Sequence, residues 1–218
     1  NLQATALMTL LPLGLLGGSL LFGPIVDRFG HKALLLLSCL VVLLGLEGIA
    51  FFTSIPLLQV SIIGIGLGGG ILNGETNALV ADISNEAEKG SRLSLLGAFY
   101  GIGALGIPVL LSFLSEYYSF EIILQGTGMV MLIGILFCLG IRFPAPKQPQ
   151  GFPIKEGLGL LKESSLLLLS FILFFQSGIE GVCNNWTTLY LGQTTGIPEN
   201  RALIALTCMV AGLTVARL

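Results

Sequence analysis

The sequence predicts an all-α fold, a polytopic helical membrane protein, and three observations support this class. Of its 218 residues, 54% are hydrophobic and 10% are charged, whereas soluble domains carry about 25% charged residues. The apolar residues collect in runs of about 20, the length that a helix needs to cross a bilayer. Thirty glycines occur in the chain, and membrane helices accept small residues because these allow close packing. A water-soluble fold is therefore excluded.

The apolar runs predict seven spans, and they are too long and too continuous for the strands of a membrane barrel. In chain order the spans are expected at 5–24, 33–53, 56–81, 93–115, 122–141, 166–191 and 201–218, the last of them incomplete. Glycines four apart, such as Gly64 with Gly68 and Gly97 with Gly101, are expected to let these helices cross closely. Tandem glycines at 17 and 18 are expected to do the same.

Basic residues predict the orientation of the spans. Nine of the ten lie at alternating span ends, which the positive-inside rule assigns to the cytoplasm. The segments 25–32, 82–92 and 142–165 are therefore expected to be cytoplasmic, and the first span is expected to run inward. This puts the first residue outside the cell without a signal peptide. Because the last residue also falls within an apolar run, we expect the chain to be truncated at both ends.

A polar segment divides the predicted spans into two groups. Residues 142–165 contain Pro144, Pro146, Pro149 and Pro153 together with four basic residues. Such a composition is typical of a linker. We therefore predict one helical bundle over 1–142, a cytoplasmic linker over 143–165 and the start of a second bundle over 166–218.

The segment between the first two spans carries a motif. It contains Gly23, Asp27, Arg28, Gly30 and Lys32 in the spacing G-x-x-x-D-R-x-G-x-K. The glycines allow a tight reversal, Asp27 is expected to accept hydrogen bonds from backbone N–H groups at a helix start, and the two cations anchor the cytoplasmic face. His31, the one histidine, is interpreted as a further basic loop residue rather than a proton relay. An ordinary basic turn is the simpler alternative.

This spacing resembles the signature loop of the major facilitator superfamily between its second and third helices. The resemblance implies the major facilitator fold, a conformational-switch role for the loop, and a chain that spans helices 2 to 8. The first bundle then lacks its first helix, and residues 166–218 supply helices 7 and 8. Four further segments, 77–82, 97–108, 178–180 and 212–217, loosely resemble sugar-type members related to fucose permease.

Glu180 lies near the middle of the sixth predicted span, where a carboxylate costs about 2.5 to 3.5 kcal/mol. Helical spacing places Gln176 and Asn184 on or beside its face. In the implied fold this helix lines the central cavity, so these residues are candidates for substrate binding or coupling. Trp186 is a candidate for stacking on a sugar ring. The alternative is a seam of hydrogen bonds between helices, with no ligand.

In the third predicted span, Asn73 and Asn77 share one face, whereas Glu75 lies about 200° around the helix from Asn73. The two faces cannot line one cavity. In fucose-permease-like symporters an acidic residue occupies the position of Asn73, so the resemblance supports a carboxylate-based proton mechanism here only if Glu75 replaces that acid. Otherwise Glu75 is a buried acid paired with a neighbouring helix. A third acid, Glu47, is expected to reach the outer interface.

The sequence and the resemblance together predict a secondary active transporter, not an enzyme, that moves a small solute by alternating access. The first expectation is a sugar-type solute carried by proton symport, with sodium as the other coupling ion. Efflux of a drug or lipophilic compound by antiport is the alternative within the class. A seven-helix receptor or a non-transporting sensor is the alternative outside it. No cofactor, metal or nucleic acid is expected, and the full-length protein is expected to be a monomer in the lipid bilayer.

Overall fold

The computed structural model describes residues 2–146, 159 and 162–216. Within these residues it contains seven helices, one for each predicted span, which confirms the all-α class. They are α1 (Leu2–Phe29), α2 (His31–Phe51), α3 (Ile55–Ile83), α4 (Glu86–Leu114), α5 (Phe120–Gly140), α6 (Ser164–Thr195) and α7 (Glu199–Ala216). The predicted linker 143–165 lies mostly outside the described residues.

Five of these helices are long and apolar enough to cross a membrane. The qualifying segments are Thr9–Phe29 of α1, all of α2, α3 and α5, and Ser164–Cys183 of α6. In α7 the apolar segment is shorter, Ile204–Leu213. Many large apolar side chains on these helices are exposed, as expected for surfaces that face lipid.

The helices continue beyond the predicted spans, so the predicted cytoplasmic loops are shorter than expected. In segment 25–32 only Gly30 separates α1 from α2, and in segment 82–92 only Ser84 and Asn85 separate α3 from α4. The span prediction stops where apolar side chains stop, whereas the hydrogen bonds of a helix require no apolar side chains. Gly30 has φ +82°, a backbone conformation that glycine adopts without steric cost.

The chain divides into two compact units. The first contains residues 1–93 and 109–152, and the second contains 94–108 and 153–218. In the first unit α1 and α2 both pack on α3, and α5 packs on α2. In the second unit α6 packs on α7.

Glycines of α3 permit its close approach to two neighbours. A methyl group added at Gly66 or Gly70 would overlap the backbone carbonyl of Leu11 or Leu15 in α1. An added methyl at Gly68 would lie 2.8 Å from the carbonyl oxygen of Ser38 in α2. Because alternate glycines point about 200° apart on a helix, one glycine-rich run serves both interfaces.

The predicted packing role of the other glycines holds only in part. Gly18 does lie against the backbone of α3, at Leu67. By contrast, an added methyl at Gly17 or Gly97 would meet nothing within 4 Å. Close packing of the small residues is therefore concentrated between α1, α2 and α3.

Candidate functional site

The candidate site lies where α1 ends and α2 begins. Gly30 turns the chain within a single residue, so His31 becomes the first residue of α2 and points toward α3. His31, with backbone and side chain taken together, is 4% exposed. The prediction of a basic loop residue at His31 is therefore wrong, because the turn is too short to leave this side chain in solvent.

His31 bridges two carboxylates of α3. Its Nδ1 atom is 2.6 Å from Oε1 of Glu75, and its Nε2 atom is 3.0 Å from Oδ2 of Asp82. Glu75 and Asp82 are seven residues apart, which places them on one face of α3 and about 10 Å apart along the helix axis. An imidazole has one nitrogen on each side of its ring, and it therefore spans the two acids.

The three side chains of this cluster, Glu75, His31 and Asp82, form a gradient of burial. The Glu75 side chain is 0% exposed, that of His31 is 5% exposed, and that of Asp82 is 20% exposed. Oε2 of Glu75 has no hydrogen-bond partner among the described residues. The outer acid therefore has access to solvent, whereas the side-chain hydrogen bond of the inner acid within the described structure is to the histidine.

A cavity of about 160 Å³ adjoins the outer part of the cluster. Its polar lining comes from Asp27, His31 and Asp82. The remaining lining residues come from α1, α3 and the segment after α5: Phe22, Gly23, Val26, Ala78 and Pro146. Glu75 does not line this cavity, so His31 lies between the cavity and the buried acid.

The charge of the cluster depends on His31. With a neutral imidazole the two acids give a net charge of −2, and with an imidazolium the net charge is −1. A buried charge is strongly destabilising unless it is paired and hydrogen-bonded. Both ring nitrogens donate only in the imidazolium form. That form therefore fits two ionised acids, while a neutral imidazole requires a protonated acid at one end.

The residues of the predicted switch loop occupy different positions around the cluster. Gly23 and Asp27 line the cavity. Asp27 lies in the last turn of α1, because α1 continues to Phe29. Its expected hydrogen bond to backbone N–H groups at a helix start stays a prediction. Arg28 lies over the Phe29 ring at 5.3 Å and, as a cation in a last helical turn, suits the helix dipole.

Lys32 joins the same turn to α5. Its Nζ atom donates hydrogen bonds to the carbonyl oxygens of Leu139 at 2.8 Å and Ile141 at 3.1 Å. These carbonyls are at the carboxyl end of α5, where a helix leaves acceptors unpaired and favours a cation. The turn is thus fastened on one side to α3 through His31 and on the other side to α5 through Lys32.

The opposite face of α3 carries the predicted asparagine pair. Asn73 and Asn77 are both exposed, and Nδ2 of Asn77 donates to the backbone oxygen of Asn73 at 2.7 Å. Glu75 is fully buried on the other side of the helix. The structure therefore separates the asparagines from the acid, as the 200° spacing predicts.

The remaining predicted site residues lie on α6, in the second unit. Glu180 is half-buried, whereas Gln176 and Trp186 are exposed. Asn184 lies in α6, and its side chain is outside the described part of the structure. Their proposed contact with a substrate stays a prediction.

The cluster was missed because its partners are 44 and 51 residues apart in sequence. One signal was available in α3, since an acid at 75 and an acid at 82 must share a helix face. A single histidine immediately after the glycine turn was the second signal. Only the packing of α2 against α3 brings the two signals together.

Comparison with known proteins identifies relatives among transporters. The sequence profile of the Major Facilitator Superfamily matches residues 1–218. Multidrug resistance protein MdtH of Aeromonas hydrophila is 30% identical over 163 residues, which is 74% of this chain and 39% of that protein. The MFS-type transporter YfkL of Bacillus subtilis, whose name marks it as uncharacterised, is 25% identical over 191 residues, 83% of this chain and 47% of its own length.

Solved structures show the same fold. A mutant of the peptide transporter POT, crystallised with alafosfalin, matches 92% of this chain with a TM-score of 0.60 and 16% identity. The match covers 46% of that transporter. The chain thus spans less than half the length of the relatives named above.

Proposed function

Because the chain belongs to the Major Facilitator Superfamily, we propose that it is part of a secondary active transporter that carries a small organic solute by alternating access. Membership places the chain among multi-pass membrane transport proteins rather than enzymes, as expected, and argues against a seven-helix receptor. Two bundles that rock around a site near the bilayer midplane are the general mechanism of such carriers.

The observation that carries the proposal is the exposed asparagine face of α3. Asn73 and Asn77 lie within an apolar span, yet both are exposed. Two amides facing hydrocarbon would each lose hydrogen bonds to water. They are better placed against a polar cavity in the complete protein, where amides can donate to and accept from a solute. For the second unit, Glu180 of α6 is proposed separately as a residue that contacts the solute.

Two solute classes follow from different observations. The resemblance to fucose-permease-like proteins supports a sugar-type solute carried by proton symport. The similarity to MdtH, whose name describes multidrug resistance, supports efflux of a lipophilic compound. In symport an inward proton gradient drives uptake, whereas in antiport the same gradient drives the solute out.

Flux through the full-length protein in proteoliposomes tests the proposal. A panel of neutral sugars and lipophilic cations is offered with and without an imposed proton gradient. We expect flux of one class, with its direction relative to the gradient distinguishing symport from antiport. A correctly folded protein that moves no member of either class, even by exchange, would indicate a non-transporting sensor instead.

Variants then locate the site. We expect Asn77→Ala and Glu180→Gln each to reduce flux about tenfold or more. A tenfold loss corresponds to about 1.4 kcal/mol of free energy in the complex with the solute. Both variant proteins should remain in the membrane. Asn85→Ala is the matched control, since Asn85 is an exposed amide in the turn between α3 and α4. Normal flux in the first two variants would remove both residues from the site.

A further inference from the structure

We propose that Glu75, His31 and Asp82 form a proton-binding site, in which His31 passes protons between the cavity at the α1–α2 turn and the buried Glu75 carboxyl. This role concerns the coupling ion rather than the solute. Its coupling part rests on the proposed transport function, whereas proton binding itself does not.

The first support is geometry. Both ring nitrogens of His31 lie within hydrogen-bond distance of a carboxylate oxygen, at 2.6 Å and 3.0 Å. Proton transfer needs heavy atoms in this range, about 2.6 to 3.2 Å. A relay needs such a contact on each side of the ring, and His31 has both.

The second support is the order of the three groups. Asp82 and His31 line the cavity, and Glu75 does not. Among the described residues Glu75 has a single side-chain hydrogen-bond partner, His31, and its Oε2 atom has none. Within the described part of the structure, a proton that enters through the cavity therefore reaches Glu75 through the imidazole.

The third support is the electrostatic environment. Among the described residues, the charged groups that face His31 are Glu75 and Asp82 from α3 and Asp27 from α1, which lines the same cavity. On its own helix Lys32 is directed to carbonyls at the end of α5, and the segment after α5 contributes Pro146 to the cavity wall. Three acids thus surround one imidazole, and an added proton reduces a buried net negative charge.

The transfer takes up one proton from the cavity and leaves one additional proton on Glu75. A proton from the cavity first binds Asp82, which passes it to Nε2 of His31 while the proton on Nδ1 moves to Oε1 of Glu75. Afterwards Glu75 is protonated and Asp82 is ionised. His31 is left with the same number of protons as before, and reversal of these steps releases the proton to the cavity.

The consequence for the fold is local. The imidazole joins the first residue of α2 to two turns of α3, directly after the one-residue turn that ends α1. Protonation of Glu75 replaces a hydrogen bond to a carboxylate with a weaker hydrogen bond between two neutral groups at this junction. Proton occupancy is thereby coupled to the strength of the contact that holds the turn against α3.

Direct proton binding is measured by infrared difference spectroscopy of the full-length protein between about pH 5.5 and pH 8, the range in which histidine sites respond. We expect a buried-carboxyl band that appears at low pH and is absent in Glu75→Gln. Glu88→Gln, which alters an exposed acid paired with Arg92, is the matched control and should keep the band. An unchanged band in Glu75→Gln would overturn the proposal.

The relay role is tested with two substitutions at one position. His31→Arg places a permanent positive charge at this position and can donate to both acids, but it does not release a proton. His31→Gln removes the ionisable ring. We expect both to abolish the low-pH step of the carboxyl band, with His31→Arg retaining wild-type thermal stability. If His31→Arg folds and keeps the wild-type band and its pH dependence, His31 is not the relay.

Transport distinguishes the failure of this inference from failure of the proposed function. Absence of flux in the wild-type protein contradicts the proposed function and leaves the infrared result standing. If the wild type transports, we expect its rate to change by up to about tenfold per pH unit and expect His31→Arg to flatten that profile. An identical profile in His31→Arg and wild type would contradict the coupling role.

Discussion

The two faces of α3 carry polar residues in opposite ways. One face buries Glu75 completely and ties it, together with Asp82, to His31 of α2. The other face exposes Asn73 and Asn77, whose described hydrogen bond stays within the helix. A buried ionisable group must be satisfied by its neighbours, whereas an exposed amide is left available to a ligand. Position around one helix therefore separates the proposed proton-binding surface from the proposed solute-binding surface.

The largest expected difference between the faces comes from removing the histidine. His31→Ala leaves Glu75, which is 0% exposed, as an uncompensated buried acid, and we expect a loss of about 3 to 5 kcal/mol of stability. Unfolding of the purified protein in one detergent measures it. His31→Arg, which restores the donors, should recover most of the loss, and a loss below about 1 kcal/mol in His31→Ala would contradict strong pairing.

Close packing of α3 against α1 should show the next largest effect. Gly70→Ala places a methyl group against the carbonyl of Leu15, and we expect about 1 to 3 kcal/mol of destabilisation from overpacking. Gly17→Ala is the matched control, because an added methyl there meets nothing within 4 Å and alanine favours the helix. Equal unfolding temperatures for the two variants would show that the α1–α3 seam is not tight.

A smaller effect on stability is expected where Lys32 connects the α1–α2 turn to α5. Lys32→Met keeps the apolar stem but removes two hydrogen bonds to the last carbonyls of α5, so we expect about 1 kcal/mol of destabilisation. Lys89→Met serves as control, since Lys89 makes only an exposed 3.5 Å contact with Glu86 in the described structure. The prediction fails if both lysine variants unfold at the same temperature.

The smallest effect on stability is expected on the exposed face. Asn77→Ala should change stability by less than about 0.5 kcal/mol, as surface substitutions usually do, because the lost hydrogen bond is local to the helix. The same unfolding assay measures it beside His31→Ala. A loss comparable with that of His31→Ala would show that both faces are structural.

Local patterns were enough to predict the helices and the two faces of α3. Apolar runs located the seven helices of the described residues, and the 100° step per residue separated Glu75 from Asn73. The helix ends were not predictable from hydropathy, since α1 continues to Phe29 through Asp27 and Arg28. Polar side chains at the membrane surface do not interrupt a helix, and only Gly30 with its positive φ does so there.

The contacts of His31 could not be predicted from the sequence, for a different reason. Its partners are determined by how α2 is rotated and shifted against α3. That register depends on Gly45 and Gly68, where an added methyl group would lie 2.8 Å from a backbone carbonyl oxygen of the other helix. A periodic pattern predicts which face of a helix is buried, not which residue of another helix meets it. The spacing of the loop motif was sufficient to predict the superfamily, which the match over residues 1–218 confirms. The proposed solute contacts on α6 stay a prediction.

The most direct test is transport measured against both solute concentration and pH in the full-length protein, with Asn77→Ala and Glu75→Gln compared in parallel. Separate roles for the two faces predict that Asn77→Ala raises KM with an unchanged pH profile. They predict that Glu75→Gln flattens the pH profile with KM nearly unchanged. If both variants change the same parameter in the same way, the two faces of α3 do not have separate roles.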